Sequence, residues 1–364
     1  MVSGEPGPIC GPCVLGTARC RREETLTDQQ TGRIAVAGAG NIGCFVGGML
    51  ASAGYPVTLL ARRGMIDDIR ANGLHLTSYE GLDRHVPADA LILADDPASL
   101  AQAAIILVTV KSPDTAVMAT LIANHAPANA VIVSLQNGVG NTEVLRAYGG
   151  DRRVLAGMVP FNVVSAGAAH VHRATSGDIV LEQDEAGIAA QLSVPGLAMA
   201  SSGRIADVQW GKLLFNLNNA INALSGLPLR EQLAQRPWRV LLAHQIAEAL
   251  RVMKTAGIKP VLATPLPAPW LPFVLRLPDP LFRAIAGSML KIDPQARSSM
   301  WNDLQRGRRT EIDDLQGVIV RLGKRYHQNV TLSERLLDLM RTAETEGRGS
   351  PRMKPDQIVR IDGW

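Results

Sequence analysis

Regular blocks of apolar residues begin at Arg33. The run 33–37 has the length and composition of a buried strand. A glycine-rich turn follows, then an apolar stretch of helical period from 41 to 53, ended by Gly54-Tyr55-Pro56. Residues 57–60 (Val-Thr-Leu-Leu) read as a second strand, which completes a unit long enough for a parallel crossover. The runs 104–110 and 130–135 are almost wholly apolar, as expected of strands covered on both faces, and 114–126 can form the helix between them. Segments 154–164 and 178–182 read as later strands. Alternating strands and helices predict a doubly wound, mostly parallel sheet over roughly residues 32–200.

The pattern changes near 205. Helical periods dominate at 208–225, 231–256, 296–304, 309–323 and 332–346, and a proline-rich stretch from 260 to 280 must be loop or short helices. The expected fold class is therefore α/β: an N-terminal Rossmann dinucleotide-binding domain over 32–205 and a C-terminal all-helical domain over 206–346. A chain of 364 residues exceeds what one hydrophobic core usually spans, which agrees with two domains. Residues 347–364 read as a polar tail without period. Residues 1–31 read as a disordered extension, or as sequence upstream of a start site placed too early.

Composition narrows the partners. Hydrophobic residues make up 46% and charged residues 19%, ordinary values for a folded globular chain. The net charge of +4 is spread out, with no basic block or aromatic-interleaved stripe of the kind that binds nucleic acid. A mild positive field suits an anionic cofactor and substrate. No apolar run reaches the roughly 18 residues of a membrane span, and the N-terminus lacks the basic start of a signal peptide. Cytoplasm is the expected location, and a homodimer is compatible with the sequence. Three of the four cysteines lie within the first 20 residues, which is no disulfide framework. Cys10 and Cys13 have CxxC spacing, but no second CxxC or His pair completes a metal site, so no metal is expected.

Between the first strand and its helix lies Gly38-Ala39-Gly40-Asn41-Ile42-Gly43, a GxGxxG fingerprint in the context that gives it meaning. Gly38 would permit the tight turn, Gly40 would let backbone approach a pyrophosphate, and Gly43 would let helix pack on strand. The helix start then offers backbone N–H groups and a positive dipole end to phosphates. An NAD enzyme usually carries Asp or Glu after the second strand; here Leu60-Ala61-Arg62-Arg63 places guanidinium there, suited to a 2′-phosphate. Arg62 is the chief candidate contact, with Arg63 in support, and the expected cofactor is NADP(H). Lys111 follows a strand at the carboxyl edge and can reach the phosphate end. Asn137, in Gln136-Asn137-Gly138, would lie near the nicotinamide end or serve only as a turn residue.

The chemistry is expected in the second domain. From Trp210 to Asn222 the apolar pattern is helical, yet Asn216, Asn218, Asn219 and Asn222 crowd it, poor helix material because Asn competes for backbone hydrogen bonds. At about 100° per residue Lys212, Asn216 and Asn219 share one stripe, odd for a core but fitting for a cleft holding a polar substrate. Carbonyl reduction needs a proton on oxygen, and a lysine of lowered pKa can supply it while stabilising the alkoxide. Further on, Ser298-Ser299 at a helix start can bind a carboxylate, and Glu311 can pair with Lys212 or accept from a substrate hydroxyl.

Together these motifs resemble the 2-dehydropantoate 2-reductases, or ketopantoate reductases, over roughly residues 33–345. The shared signs are the Gly38–Gly43 fingerprint, an Arg after the second strand, VTVK at 108–111, QNGVG at 136–140, Trp210-x-Lys212-Leu-x-x-Asn216, Ser298-Ser299-Met300 and Thr310-Glu311-Ile312-Asp313. The resemblance implies NADPH-dependent reduction of 2-dehydropantoate to pantoate, a step toward pantothenate and coenzyme A, at a site between the domains. It implies Lys212 as general acid, Asn137 near nicotinamide and substrate, Asn216 on the substrate, Ser299 on its carboxylate, and Glu311 beside the lysine and the nicotinamide ribose. One departure stands out. The family's second Asn, eight residues after the lysine, is Ala220 here, so Asn219 or Asn222 would have to substitute. That departure and the proline-rich segment raise an alternative, a paralogous NADPH-dependent reductase of another 2-oxo acid or carbonyl compound. A non-catalytic NADPH-binding sensor is a third reading, against which Lys212 and Glu311 speak.

Overall fold

The computed structural model describes residues 32–262, 266–287 and 293–359; the extension 1–31, with Cys10 and Cys13, lies outside them. Twelve strands are described: β1 (Arg33–Ala37), β2 (Val57–Leu60), β3 (Leu74–Ser78), β4 (Asp83–Val86), β5 (Leu91–Ala94), β6 (Ala103–Val108), β7 (Val131–Ser134), β8 (Val154–Met158), β9 (Val163–Gly167), β10 (His170–Arg173), β11 (Ile179–Glu182) and β12 (Met199–Ser202). Eight form one sheet in the order β12-β11-β8-β7-β6-β1-β2-β5. From β8 through β5 every neighbouring pair is parallel, and β11 joins β8 antiparallel. The chain winds one way from β1 to β2 and the other way from β6 onward, so the β1/β6 boundary is the point where ligands bind beyond strand ends in such sheets.

A smaller sheet, β4-β3-β10-β9, lies against the helix Asn41–Ser52. It has no counterpart in the expectations from sequence. Its strands are short and mixed in polarity, and β3 and β10, its central parallel pair, are far apart in the chain, so no local pattern announces it. The 41–52 helix is sandwiched between the two sheets. A side chain at Gly47 would strike Leu59 and Val36 of the large sheet; one at Gly48 would strike Leu74 and Leu76 of the small one. The adjacent glycines thus let both sheets approach the same turn of helix.

After β12 the described structure is helical, beginning at Ile205. The stretch expected as one helix, 208–225, is two, Ile205–Asn216 and Asn218–Ser225, with a turn at Leu217. The proline-rich segment supplies the short helices Leu271–Arg276 and Asp279–Ala286. The fully buried Arg239 ties it down, donating to the carbonyls of Leu275 and Leu277 at 3.2 and 2.8 Å and to Asp279 at 2.8 Å, with its guanidinium over the Phe282 ring. The described part of 347–364, expected as a tail without period, packs on the helices instead. Met353 N–H donates to Leu224 O at 2.8 Å, and Ile358 is buried in the core. The reason is tertiary: three apolar residues, Met353, Ile358 and Val359, suffice in a polar segment once a groove exists to receive them. No described helix is long and apolar enough to cross a membrane.

Candidate active site

The parallel register aligns the strand ends. Ala37 pairs with Leu60 and Val108, Val108 with Ser134, and Ser134 with Ala156. Just beyond these residues lie Gly38–Gly40, Arg62, Lys111, Asn137 and Val159, at one carboxyl edge with strands about 4.8 Å apart.

The fingerprint adopts the form its glycines allow. Gly38 has φ +89°, and a Cβ there would lie 2.2 Å from Val110 Cγ1. Gly43 closes on Val36 and Thr109, where a Cβ would come within 2.8 and 2.5 Å of side-chain atoms. Gly40 is the N-cap of the 41–52 helix, and a Cβ there would meet nothing nearer than Gly38 O at 4.0 Å. The space before the helix is therefore open, and the first helical amides have no intrahelical acceptor. Ala39 is buried, Ile42 packs against the core, and Asn41 Nδ2 donates to Val163 O at 3.2 Å. Arg62 is exposed at the start of the helix Arg63–Asn72, while Arg63 lies 3.5 Å from Asp95.

The helix Ile205–Asn216 packs on β8 and brings Lys212 to this edge. Gln209 Nε2 donates to Gly157 O at 3.0 Å; one turn on, Lys212 Nζ donates to Val159 O at 2.7 Å and Pro160 O at 3.0 Å. Burial pushes the Lys212 pKa down from 10.5 to about 8, because the ammonium loses hydration. Two of its three N–H donors are used by the carbonyls, and the third has no acceptor among the described residues.

Glu311 is 6% exposed. Its Oε1 accepts from Ser112 N–H at 3.3 Å and Ser112 Oγ at 3.4 Å, and the Asn137 side chain lies beside it. Burial raises its pKa, and the Ser112 amide, Lys111 and Asn137 oppose the rise. Asn137 is anchored through its carbonyl, which accepts from Asn141 Nδ2 at 2.7 Å and Ser112 Oγ at 3.2 Å. Glu311 does not pair with Lys212: among the described residues no ion pair joins them. Each is held by nearer partners, the lysine by two strand-end carbonyls and the carboxylate by Ser112.

Lys111 departs from expectation as well. Its ammonium lies 2.6 Å from Asp303 and 3.5 Å from Arg309 O, so it bridges to the helical domain. Of the asparagines, Asn216 is 8% exposed and its Nδ2 has no hydrogen-bond partner among the described residues. Asn219 is partly exposed and receives Ser298 Oγ on its main-chain carbonyl at 3.0 Å. Asn222 is not a cleft residue. It is fully buried, its Nδ2 donating to Leu227 O and Gln232 Oε1 at 2.9 and 2.8 Å and its Oδ1 accepting from Ser298 N–H at 2.9 Å. The side chain is saturated and has no donor left for a substrate. Ser298 caps the helix Ser299–Gln305, accepting from Trp301 N–H at 3.2 Å, and leaves Ser299 partly exposed at the first helical position. Sequence reasoning missed Ser112 and gave Asp303 no role. The position of Ser112, directly after VTVK at the strand end, was the available signal.

Residues 34–185 match the family described as Ketopantoate reductase PanE/ApbA, and residues 204–344 match Ketopantoate reductase PanE/ApbA C terminal. The chain belongs to the ketopantoate reductase family. It is an oxidoreductase of a dinucleotide-dependent kind. It is 27% identical over 324 residues to the 2-dehydropantoate 2-reductase of Halobacterium salinarum, covering 86% of this chain and 100% of that one. A PanE/ApbA family ketopantoate reductase from Ralstonia eutropha superposes with TM-score 0.74 at 30% identity, over 87% of this chain and 99% of the other. D-mandelate dehydrogenase, solved with NADH and anilino(oxo)acetate, shares the fold at TM-score 0.70 and 21% identity, over 86% of this chain and 99% of its own.

Proposed function

We propose that this chain reduces 2-dehydropantoate to pantoate with NADPH, in the cytoplasm, as a step toward pantothenate and coenzyme A, with Lys212 as the general acid. The observation that carries the reading is the Lys212 amine. It is seated at the end of β8, tuned to about pH 8 by burial, and has one N–H to spare.

The residues present fit a dinucleotide. The open space before Gly40, the left-handed Gly38 and the first amides of the 41–52 helix form a cradle for a pyrophosphate. Arg62 would take the 2′-phosphate with Arg63 in support, and Asn137 and Glu311 would border the nicotinamide and its ribose. Lys111 would contribute from the edge on leaving Asp303. When bound, the cofactor supplies the hydride to the substrate carbonyl carbon.

The protein supplies the rest. The third N–H of Lys212 donates to the carbonyl oxygen, stabilises charge as it develops there, and then transfers the proton. The side-chain amide of Asn216, buried without a partner, gains one from the substrate. Ser299 offers hydroxyl and main-chain N–H to the carboxylate. Glu311, held by Ser112, orients Asn137 and accepts from a hydroxyl.

A second reading is reduction of another 2-oxo acid. Ala220 stands where the family has its second Asn, and Asn222 is committed to the fold, so only Asn219 remains to replace it. The neighbour solved with anilino(oxo)acetate carries the same fold. Loss of NADPH absorbance with 2-dehydropantoate, beside NADH and a panel of 2-oxo acids, separates the readings. Oxidation confined to NADPH and 2-dehydropantoate supports the first. Faster turnover of another 2-oxo acid replaces it with the second.

A further inference from the structure

A cavity of about 1000 Å³ opens in the helical domain at the far end of the asparagine-rich helix. Its wall includes Trp238, Arg297, Trp301, Arg352, Met353 and Lys354. It also includes Ser225 and Gly226, at the C-terminal end of the helix Asn218–Ser225. At about 1.5 Å of rise per residue, that end lies about 10 Å along its own helix from Asn218, beyond the turn at Leu217 that separates it from the helix bearing Lys212. On the helix Ser299–Gln305, Trp301 lines the cavity. At about 100° per residue Ser299 points some 200° away from it, so the cavity lies on the opposite face of the turn proposed to hold substrate.

The chemistry of the wall is specific. Three cations, Arg297, Arg352 and Lys354, outnumber the two carboxylates there, Glu231 and Asp356. The Arg297 guanidinium lies 4.5 Å from the centroid of the Trp301 ring, and its Nε donates to Gly226 O at 3.4 Å. This fixes a flat cationic and aromatic platform. Trp238 is buried behind, and Met353 adds an adaptable apolar side. Arg352 has φ +52°, a left-handed conformation that a residue with a side chain adopts at a cost. It is kept there by the packing of the 350–353 segment, where Ser350 Oγ donates to Ala223 O at 2.6 Å and Met353 N–H to Leu224 O at 2.8 Å. The cavity volume suits a ligand of metabolite size.

We propose that this cavity is a second ligand site, separate from the dinucleotide cleft, for an organic anion with a flat ring. Its carboxylate, sulfonate or phosphate meets Arg352 and Lys354, and its ring lies on the Arg297–Trp301 stack. The probe is 8-anilinonaphthalene-1-sulfonate, titrated into the full chain saturated with non-fluorescent NADP⁺ and followed by dye emission. Saturable binding that NADP⁺ does not displace is expected. Arg352→Gly should weaken it about ten-fold, the scale of one charge-assisted contact, while the melting temperature stays or rises, because glycine accepts a positive φ. Lys354→Gln should weaken it in the same direction and decides the matter if Arg352→Gly folds poorly. No binding, displacement by NADP⁺, or equal affinity in the variants would overturn the proposal; in the last case the dye sits elsewhere, as on the exposed Trp270 and Phe273.

Discussion

Replacing Lys212 by methionine separates what the lysine costs the fold from what it contributes to the reaction. Its pKa falls from 10.5 to about 8 on burial. Each ten-fold change in proton affinity is about 1.4 kcal/mol, so near neutral pH the folded protein carries roughly 3 kcal/mol of penalty for holding the ammonium there. Lys212→Met removes that penalty and keeps the length of the side chain. It also strips a donor from Val159 O and Pro160 O, worth about 1 kcal/mol each. The variant should therefore be as stable as the parent, or more stable by about 1 kcal/mol, in urea unfolding at pH 7. Its kcat should fall about 10²–10⁴-fold, the usual contribution of a general acid. In the parent, kcat/KM should decline as pH rises through about 8, since the acid must be protonated. Stability moves the other way: between about 8 and 10.5 the unfolded chain holds a proton that the folded one has released, so this group's contribution to stability rises with pH. A Lys212→Met enzyme keeping more than about a tenth of kcat, or a kcat/KM flat from pH 7 to 9.5, would refute the assignment.

Three further outcomes are expected. Arg62→Ala should raise the Kd for NADPH far more than that for NADH, measured by fluorescence titration; equal effects would remove Arg62 from the 2′-phosphate. Asn216→Ala should raise KM for the 2-oxo acid about ten-fold at unchanged melting temperature, whereas Asn222→Ala should cost about 3 kcal/mol of stability by leaving buried partners unpaired, and the reverse pattern would exchange their roles. Gly211→Ala places a Cβ 1.8 Å from Val261 O, so the helix bearing Lys212 must shift. A loss of about 2 kcal/mol in denaturant unfolding, with reduced kcat, is expected, and an unperturbed enzyme would show that the 261–262 loop yields freely.

Residues 33–60 show what sequence alone determined. A strand, a GxGxxG turn, a helix and a second strand are local patterns set by backbone sterics and apolar period, and each appears within a residue or two of its expected place. Lys212 and Glu311 stand out in the sequence as candidates because residue types at a given spacing, and the resemblance they carry, depend on neighbours in the chain. The small sheet was not legible. Its β3–β10 pairing joins His75 to His170 across nearly a hundred residues, and the two glycines that admit it read as ordinary helix positions. Nor could sequence separate Asn216 from Asn222, or foresee that Lys111 would pair with Asp303 and Lys212 with strand-end carbonyls. Those outcomes depend on which donors and acceptors packing brings together, inside the helical domain for Asn222 and across to the sheet for Lys111 and Lys212. Hydrogen-bond saturation is a property of that packing, and only the tertiary structure decides which amide is spent on the fold and which keeps an unpaired donor.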